Sequence, residues 1–219
     1  MLDPRVALDF SSASLGLREP TQAQRQQLRA DHEVVAALCR KMGMRSCKEM
    51  REAKHVDWRH IDRSATDLAM LGKLSSVLPA LERLYLSGST VGVLRLAAEL
   101  GTRALPAVTT LAFSRTRVGD AGASALAAAL GRGALPRLKT LTLNDAAIGD
   151  AGLVALAPAL RLRPALEALD LSDNPLGDKG LAATLAGALS PPTGVLAKLK
   201  RLYLGSTQIT DAGCAARAV

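Results

Sequence analysis

From Leu81 onward the chain writes one pattern five times. The copies are LERLYLSGSTV from Leu81, VTTLAFSRTRV from Val108, LKTLTLNDAAI from Leu138, LEALDLSDNPL from Leu166 and LKRLYLGSTQI from Leu199. Consecutive starts lie 27, 30, 28 and 33 residues apart. A period of this size strongly restricts the fold: each unit is too small to bury an apolar face alone, so the copies must stack side by side. The L-x-L centre of each copy has the period-two signature of a strand with one buried face. In the fourth copy this points Leu169 and Leu171 inward and Ala168, Asp170 and Ser172 outward.

The segments between strands read as helices. GDAGASALAAAL, GDAGLVALAPAL and GDKGLAATLAGAL place apolar residues three and four apart, as in Leu126–Leu130, Leu153–Leu156–Leu160 and Leu181–Leu185–Leu189. Asp120, Asp150, Asp178 and Asp211 stand where an N-cap carboxylate would accept from orphan backbone N–H groups. The first copy has no G-D-A-G element, so its helix is expected to be about one turn shorter. Pro158 predicts a kink or a short helix in the third. A strand that returns parallel to its predecessor needs a crossover of about a dozen residues, which a helix supplies.

The strand segments and their helical tails resemble leucine-rich repeats of the ribonuclease-inhibitor-like kind, with the pattern L-x-x-L-x-L-x-x-N-x-L-x-x-x-G-x-x-x-L-x-x-x-L. The resemblance implies an α/β solenoid, a right-handed βα horseshoe with a parallel inner sheet, outer helices and an N-terminal helical cap. Its functional implication is a scaffold that binds a protein partner through its concave face. It also brings in regulators of small GTPases, such as Ran GTPase-activating proteins, although no residue here maps onto such a motif. A static subunit of a cytoskeletal or ciliary assembly is a further alternative. The chain departs from the pattern at the asparagine position, which holds Ser89, Thr116, Ala146, Asn174 and Thr207 in turn.

Domain boundaries follow from the repeats. Residues 81–219 carry the five copies, the last incomplete. Residues 53–80 read as a degenerate first repeat, with Ala53, Val56, Trp58, Ile61 and Arg63 on the strand template and Leu68, Leu71 and Leu74 at helical spacing. Residues 21–52 read as a helical cap: Thr21 with Gln24 fits a capping box, Leu28, Val35, Leu38 and Met42 form an apolar face, and a short helix follows from Ser46 to Ala53. Residues 1–20 carry no pattern and are expected to be disordered. The last copy starts a helix at Asp211 and stops at Val219, as expected of a truncated array.

Composition narrows the function classes. Net charge is +8, but 13 Lys/Arg stand against 10 Asp/Glu in residues 1–80, and 15 against 10 thereafter. Spread so evenly along the chain, the excess does not predict a phosphate-tracking stripe, and nucleic acid is not the expected partner. No stretch of the sequence reads as a signal peptide or a membrane span, so the expected setting is cytoplasmic. Cys39, Cys47, His55 and His60 have gaps of seven and four residues rather than the knuckle spacing of structural zinc sites. They are read as structural residues. With no phosphate loop and no nucleophile–base pair in a pocket, the chain is expected to have no catalytic residue, cofactor or metal.

The surface left with functional content is the outward side of the strands. Its expected partner-binding residues are Arg83, Tyr85 and Ser87; Thr110, Ser114 and Arg115; Thr140, Thr142 and Asn144; Asp170 and Ser172; and Arg201 and Tyr203. Tyr85 and Tyr203 are the expected anchors, since Tyr and Arg are enriched among interface hot spots. Ala112, Ala168 and Gly205 complete the outward rows, and Arg117, Asp145 and Asp173 flank them.

Overall fold

The structure is a computed structural model. It describes residues 22, 25–26, 33, 36–37, 39–40, 43–59, 64–86, 90–185 and 198–211. The chain divides into two compact units, Met1–Arg51 and Glu52–Val219. In the first, the described residues between 22 and 40 are helical, and Cys39 is buried with its Sγ 3.4 Å from Met50 Sδ. The reading of residues 1–20 lies outside the described residues. A short helix α1 covers Cys47–Glu52.

The second unit alternates strand and helix. In order it contains β1 (His55–Trp58), α2 (Ala65–Lys73) with a 3-10 turn at Leu74–Val77, β2 (Arg83–Leu86), α3 (Thr90–Glu99), β3 (Thr110–Phe113), α4 (Gly119–Gly131), β4 (Thr140–Thr142), α5 (Asp150–Arg161), β5 (Ala168–Asp170), α6 (Asp178–Leu185) and β6 (Arg201–Tyr203). The six strands form one sheet in sequence order, with every neighbouring pair parallel. Register places Val56, Leu84, Leu111, Leu141, Leu169 and Leu202 in one row, and Trp58, Leu86 and Phe113 in a second. All but Leu202 are buried against the helices. At about 1.5–3 kcal/mol for each fully buried large apolar side chain, these rows supply much of the stacking energy.

The helices follow the repeats. α3, in the copy without G-D-A-G, has 10 residues, against 13 in α4. α2 opens on a complete capping box between Ser64 and Asp67. α5 is neither broken nor short: it runs unbroken for 12 residues through Pro158. Pro158 lies on the exposed side of the helix, where water can satisfy the carbonyl that loses its donor.

The aspartates of the G-D turns differ from the N-cap expectation. Asp150 and Asp178 are the first residues of their helices, and the α4 and α5 caps are Val118 and Gly149 with no side-chain cap bond. Each carboxylate instead reaches the following repeat. Asp120 Oδ1 accepts from Gly149 N at 2.7 Å and Gly152 N at 3.0 Å. Asp150 Oδ1 accepts from Gly177 N at 2.7 Å, and Asp178 accepts from Thr210 N at 2.7 Å and Thr210 Oγ1 at 2.6 Å. A negative charge thus meets the amide end of the next helix, which helix dipoles favour. The second glycine of G-D-A-G has its reason here too: a Cβ on Gly152 would lie 2.5 Å from Asp120 Oδ1 and 2.8 Å from Ile148 Cγ2.

Asn174 bridges repeats in the same direction-dependent way. Its Oδ1 accepts from Ala146 N (3.1 Å) and Ile148 N (3.0 Å), while Nδ2 donates to Leu143 O (2.7 Å), Leu171 O (2.9 Å) and Ser172 O (3.0 Å). The missing amide at Ala146 is therefore covered by its neighbour. Thr116 and Thr207 use their hydroxyls on carbonyls of their own turns, at 3.2 Å to Ser114 O and 2.8 Å to Leu204 O, and Thr116 also lies 3.5 Å from Leu86 O of the preceding repeat.

Two stability measurements test this arrangement. Leu171→Asp puts an unpaired charge at a position 2 % exposed and should abolish cooperative unfolding in urea, whereas Ser172→Asp, half-buried at the surface, should shift the midpoint little. Gly152→Ala raises helix propensity by about 1 kcal/mol, yet the close carboxylate should reverse the sign. The expected result is a net loss of about 1–3 kcal/mol in the same titration.

Candidate functional site: the open face of the sheet

The residues between the buried rows face away from the helices. Strand register aligns them in two lines: His55, Arg83, Thr110, Thr140, Ala168 and Arg201, then Asp57, Tyr85, Ala112, Thr142, Asp170 and Tyr203. The backbone ladder continues past the strands, with Arg115 N donating to Asn144 O, Asp145 N to Ser172 O and Asp173 N to Gly205 O. This adds a third line of Ser114, Asn144, Ser172 and Gly205. Arg115, Asp145, Asp173 and Ser206 then turn the chain with φ of 53°, 50°, 57° and 54°. That left-handed conformation is a recurrent strain at one repeat position.

Of the residues expected from sequence, Arg83, Arg115, Arg201 and Tyr203 are exposed. Tyr85, Thr110, Ser114, Thr140, Thr142, Asn144, Asp170 and Ser172 are half-buried. Ser87 lies outside the described residues. Ala112 and Ala168 occupy outward register positions but are buried, at 4 % and 5 % exposure. Their methyl groups sit below taller neighbours in the same lines, so they form the floor and offer little contact surface.

The ends of the face differ from its middle. At one end, Arg59 makes a 2.7 Å ion pair with Asp57, and its guanidinium carbon stands 4.9 Å from the centre of the Tyr85 ring. The hydrogen bond and charge of Asp57 hold the Arg59 pKa above its ordinary value. Tyr85 is thus already engaged by a cation on one ring face. Tyr203, at the other end, is 48 % exposed. The central strands present Thr and Ala. Asp57 and Arg59 were not expected as site residues, because the β1 copy is degenerate and its outward positions are legible only once its pairing with β2 is known.

His55 is exposed and Cys39 buried. His60 and the Cys47 side chain lie outside what is described. Among the described residues, no three His, Cys, Asp or Glu side chains gather as a metal site, and no helix is long and apolar enough to cross a membrane.

Glu167, at the start of β5, joins neighbouring repeats through Lys200 at 3.0 Å and Lys139 at 3.6 Å. Its hydrogen bond with Lys200, then the charge of Lys200, lowers its pKa below the ordinary Glu value. A depressed folded-state pKa contributes stability above the unfolded value, and that contribution is lost as pH falls through the folded one. A carbon-detected NMR titration should show Glu167 titrating at lower pH in the wild type than in Lys200→Gln.

Four segments, residues 105–127, 135–157, 164–183 and 195–216, match the family model described as Leucine Rich repeat. No curated protein matches the chain. Among solved structures, the chain is similar to one described as the actin-binding site 2 of leiomodin-1, at 13 % identity over 78 % of this chain and 82 % of that one, with a TM-score of 0.43. It is also similar to an internalin from Listeria monocytogenes, at 16 % identity over 71 % of this chain and 49 % of that one, with a TM-score of 0.28. At those scores neither likeness bears on function. The family-model matches, together with the in-register parallel strands and alternating helices, identify the array as a leucine-rich-repeat solenoid.

Proposed function

We propose that the protein is an interaction scaffold of the ribonuclease-inhibitor-like kind, which docks a protein partner on the open face of its sheet and carries no catalytic group of its own. One observation carries this reading. Six strands in a single register present continuous lines of outward side chains, with Tyr and Arg on β2 and β6 and mostly Thr and Ala on the three strands between. Small central side chains let a partner's backbone approach the sheet. Tyr85 with Arg83 and Tyr203 with Arg201 then bracket it at equivalent positions four strands apart, or about 19 Å at ordinary strand spacing. Rigid aromatic rings and guanidinium groups are the side chains that most often dominate interface energetics. Thr110, Thr140, Thr142, Ser114, Asn144, Ser172, Asp170 and Arg115 offer hydrogen bonds and charge between the brackets.

The test is cross-linking of the full chain in native lysate, followed by identification of the linked peptides. Three forms are compared: wild type, Tyr85→Ala/Tyr203→Ala, and Val154→Arg on the exposed side of α5. A partner retained by wild type and Val154→Arg, lost by about tenfold or more in the double variant, and cross-linked beside β2–β6 supports the reading. A partner lost only with Val154→Arg would move the interface to the helices and overturn it.

A further inference from the structure

The basic excess is spread along the sequence, but stacking gathers it in space. Each described helix between strands runs back from the end of one strand towards the start of the next, so the turns from helix to strand fall on the same rim. Those turns are tied rung to rung: Leu105 N donates to Ser75 O, Leu135 N to Ala104 O, and Arg103 N to Gly133 O. Each contributes cations. Lys73, Arg103, Arg132, Arg137 and Lys139 stand in the first three, and Arg161, Arg163, Lys198 and Lys200 in the next two. The opposite rim, where strands lead into helices, carries Asp120, Asp145, Asp150, Asp173, Asp178 and Asp211, with Arg59, Arg115, Arg117 and Lys179 set among them. Cations are thus in excess along the helix-to-strand rim and carboxylates along the other.

Part of the basic rim serves the fold. Arg132 Nη2 donates to carbonyls at the end of α3, Ala97 O at 2.7 Å and Leu100 O, just past the helix, at 3.1 Å. Buried Arg163 repeats the device on Leu130 O of α4, and burial lowers its pKa. Cations at helix C-termini are expected to help there. Lys139 and Lys200 share Glu167, and Lys54 meets Glu82 at 3.7 Å. Lys73, Arg103, Arg137 and Lys198 have none of these tasks. All four are exposed, and none has a described side-chain partner. They stand at the first, second, third and fifth of these turns, one repeat being about 5–10 Å between strand and helix layers.

We propose that this rim is a second docking surface, distinct from the open face of the sheet, and that its occupant is an acidic segment of a protein. An extended chain presents every second side chain about 7 Å apart on one side, comparable with the rise of about 5–10 Å per repeat, so its carboxylates can follow the rim from turn to turn. Glu82, Glu99 and Glu167 stand among the cations. A uniform phosphate backbone would be repelled at each of them, whereas a protein segment can place neutral or basic residues opposite. The described turns also hold no aromatic ring on which a nucleobase could stack. Among the described residues of these turns, Leu162 is the one large apolar side chain that is strongly exposed, at 60 %, which gives a lipid surface little to bury.

The experiment uses the full chain and a fluorescein-labelled 20-residue peptide of alternating Glu and Ser, read by anisotropy. An RNA duplex and phosphatidylserine vesicles are run beside it. Wild type should bind the peptide, with affinity falling about tenfold between 50 and 200 mM salt as exposed charges are screened. Arg103→Glu/Arg137→Glu should lose about tenfold or more at low salt, and Arg103→Gln/Arg137→Gln part of that. Arg95→Glu/Lys179→Glu, with the same change in net charge away from the rim, should stay within about threefold of wild type. Tyr85→Ala/Tyr203→Ala should leave peptide binding unchanged, which separates this proposal from the scaffold reading. Equal losses in the two Arg/Lys→Glu pairs would reduce the effect to net charge and overturn the proposal. Rim-dependent binding of RNA or vesicles without the peptide would overturn it as well.

Discussion

Parallel pairing at constant register is the constraint on which the rest of this structure depends. Each strand offers its neighbour the same row of groups, so Lys54, Glu82, Thr109, Lys139 and Glu167 all use one carbonyl on the next strand's entry. Once that ladder is set, everything else recurs at fixed offsets: leucines stack in one row, outward side chains in another, and helices return on the same side. A slip of one residue in any pair would send leucines to the open face. The long sequence separations between partners, 26 to 35 residues, are thus a translation by one repeat.

The polar side chains that matter most to the array act across repeats. Asp120, Asp150 and Asp178 each serve the turn after their own, Asn174 serves the turn before, and Arg132 and Arg163 reach back to the preceding helix. Carboxylates gather at helix beginnings and guanidinium groups at helix ends, the distribution that peptide dipoles favour. The same local preference, repeated in stacked units, polarises the two rims. A local rule of helix electrostatics becomes a property of the whole solenoid.

Much of the fold was legible because the repeats report it several times over. L-x-L, the spacing between copies and the G-D turns fix strand, helix and their alternation, and the shorter α3 follows from a missing G-D-A-G. What could not be read were relations between copies. The aspartates looked like caps for their own helices, since sequence shows which residue precedes a helix and not which helix a carboxylate faces. Ala112 and Ala168 looked exposed, because alternation gives direction and not the height of neighbours. Pro158 pointed to a kink or a short helix, because the sequence alone does not show that it faces solvent. For the open face, the positions of Arg83, Tyr85, Arg201 and Tyr203 were readable from the strand template. The Asp57–Arg59–Tyr85 cluster needed the pairing of a strand whose sequence barely follows that template.

The one-way reach of the G-D aspartates gives the solenoid a grammar. Each G-D unit offers a carboxylate forward and backbone amides backward, so any unit carrying both can stand after any other. A whole copy inserted by duplication would find its bonds already made on both sides. A single residue inserted within a copy would misplace the carboxylate and the glycine that leaves it room. Such a chain can change length in steps of a full repeat while its separate letters stay constrained.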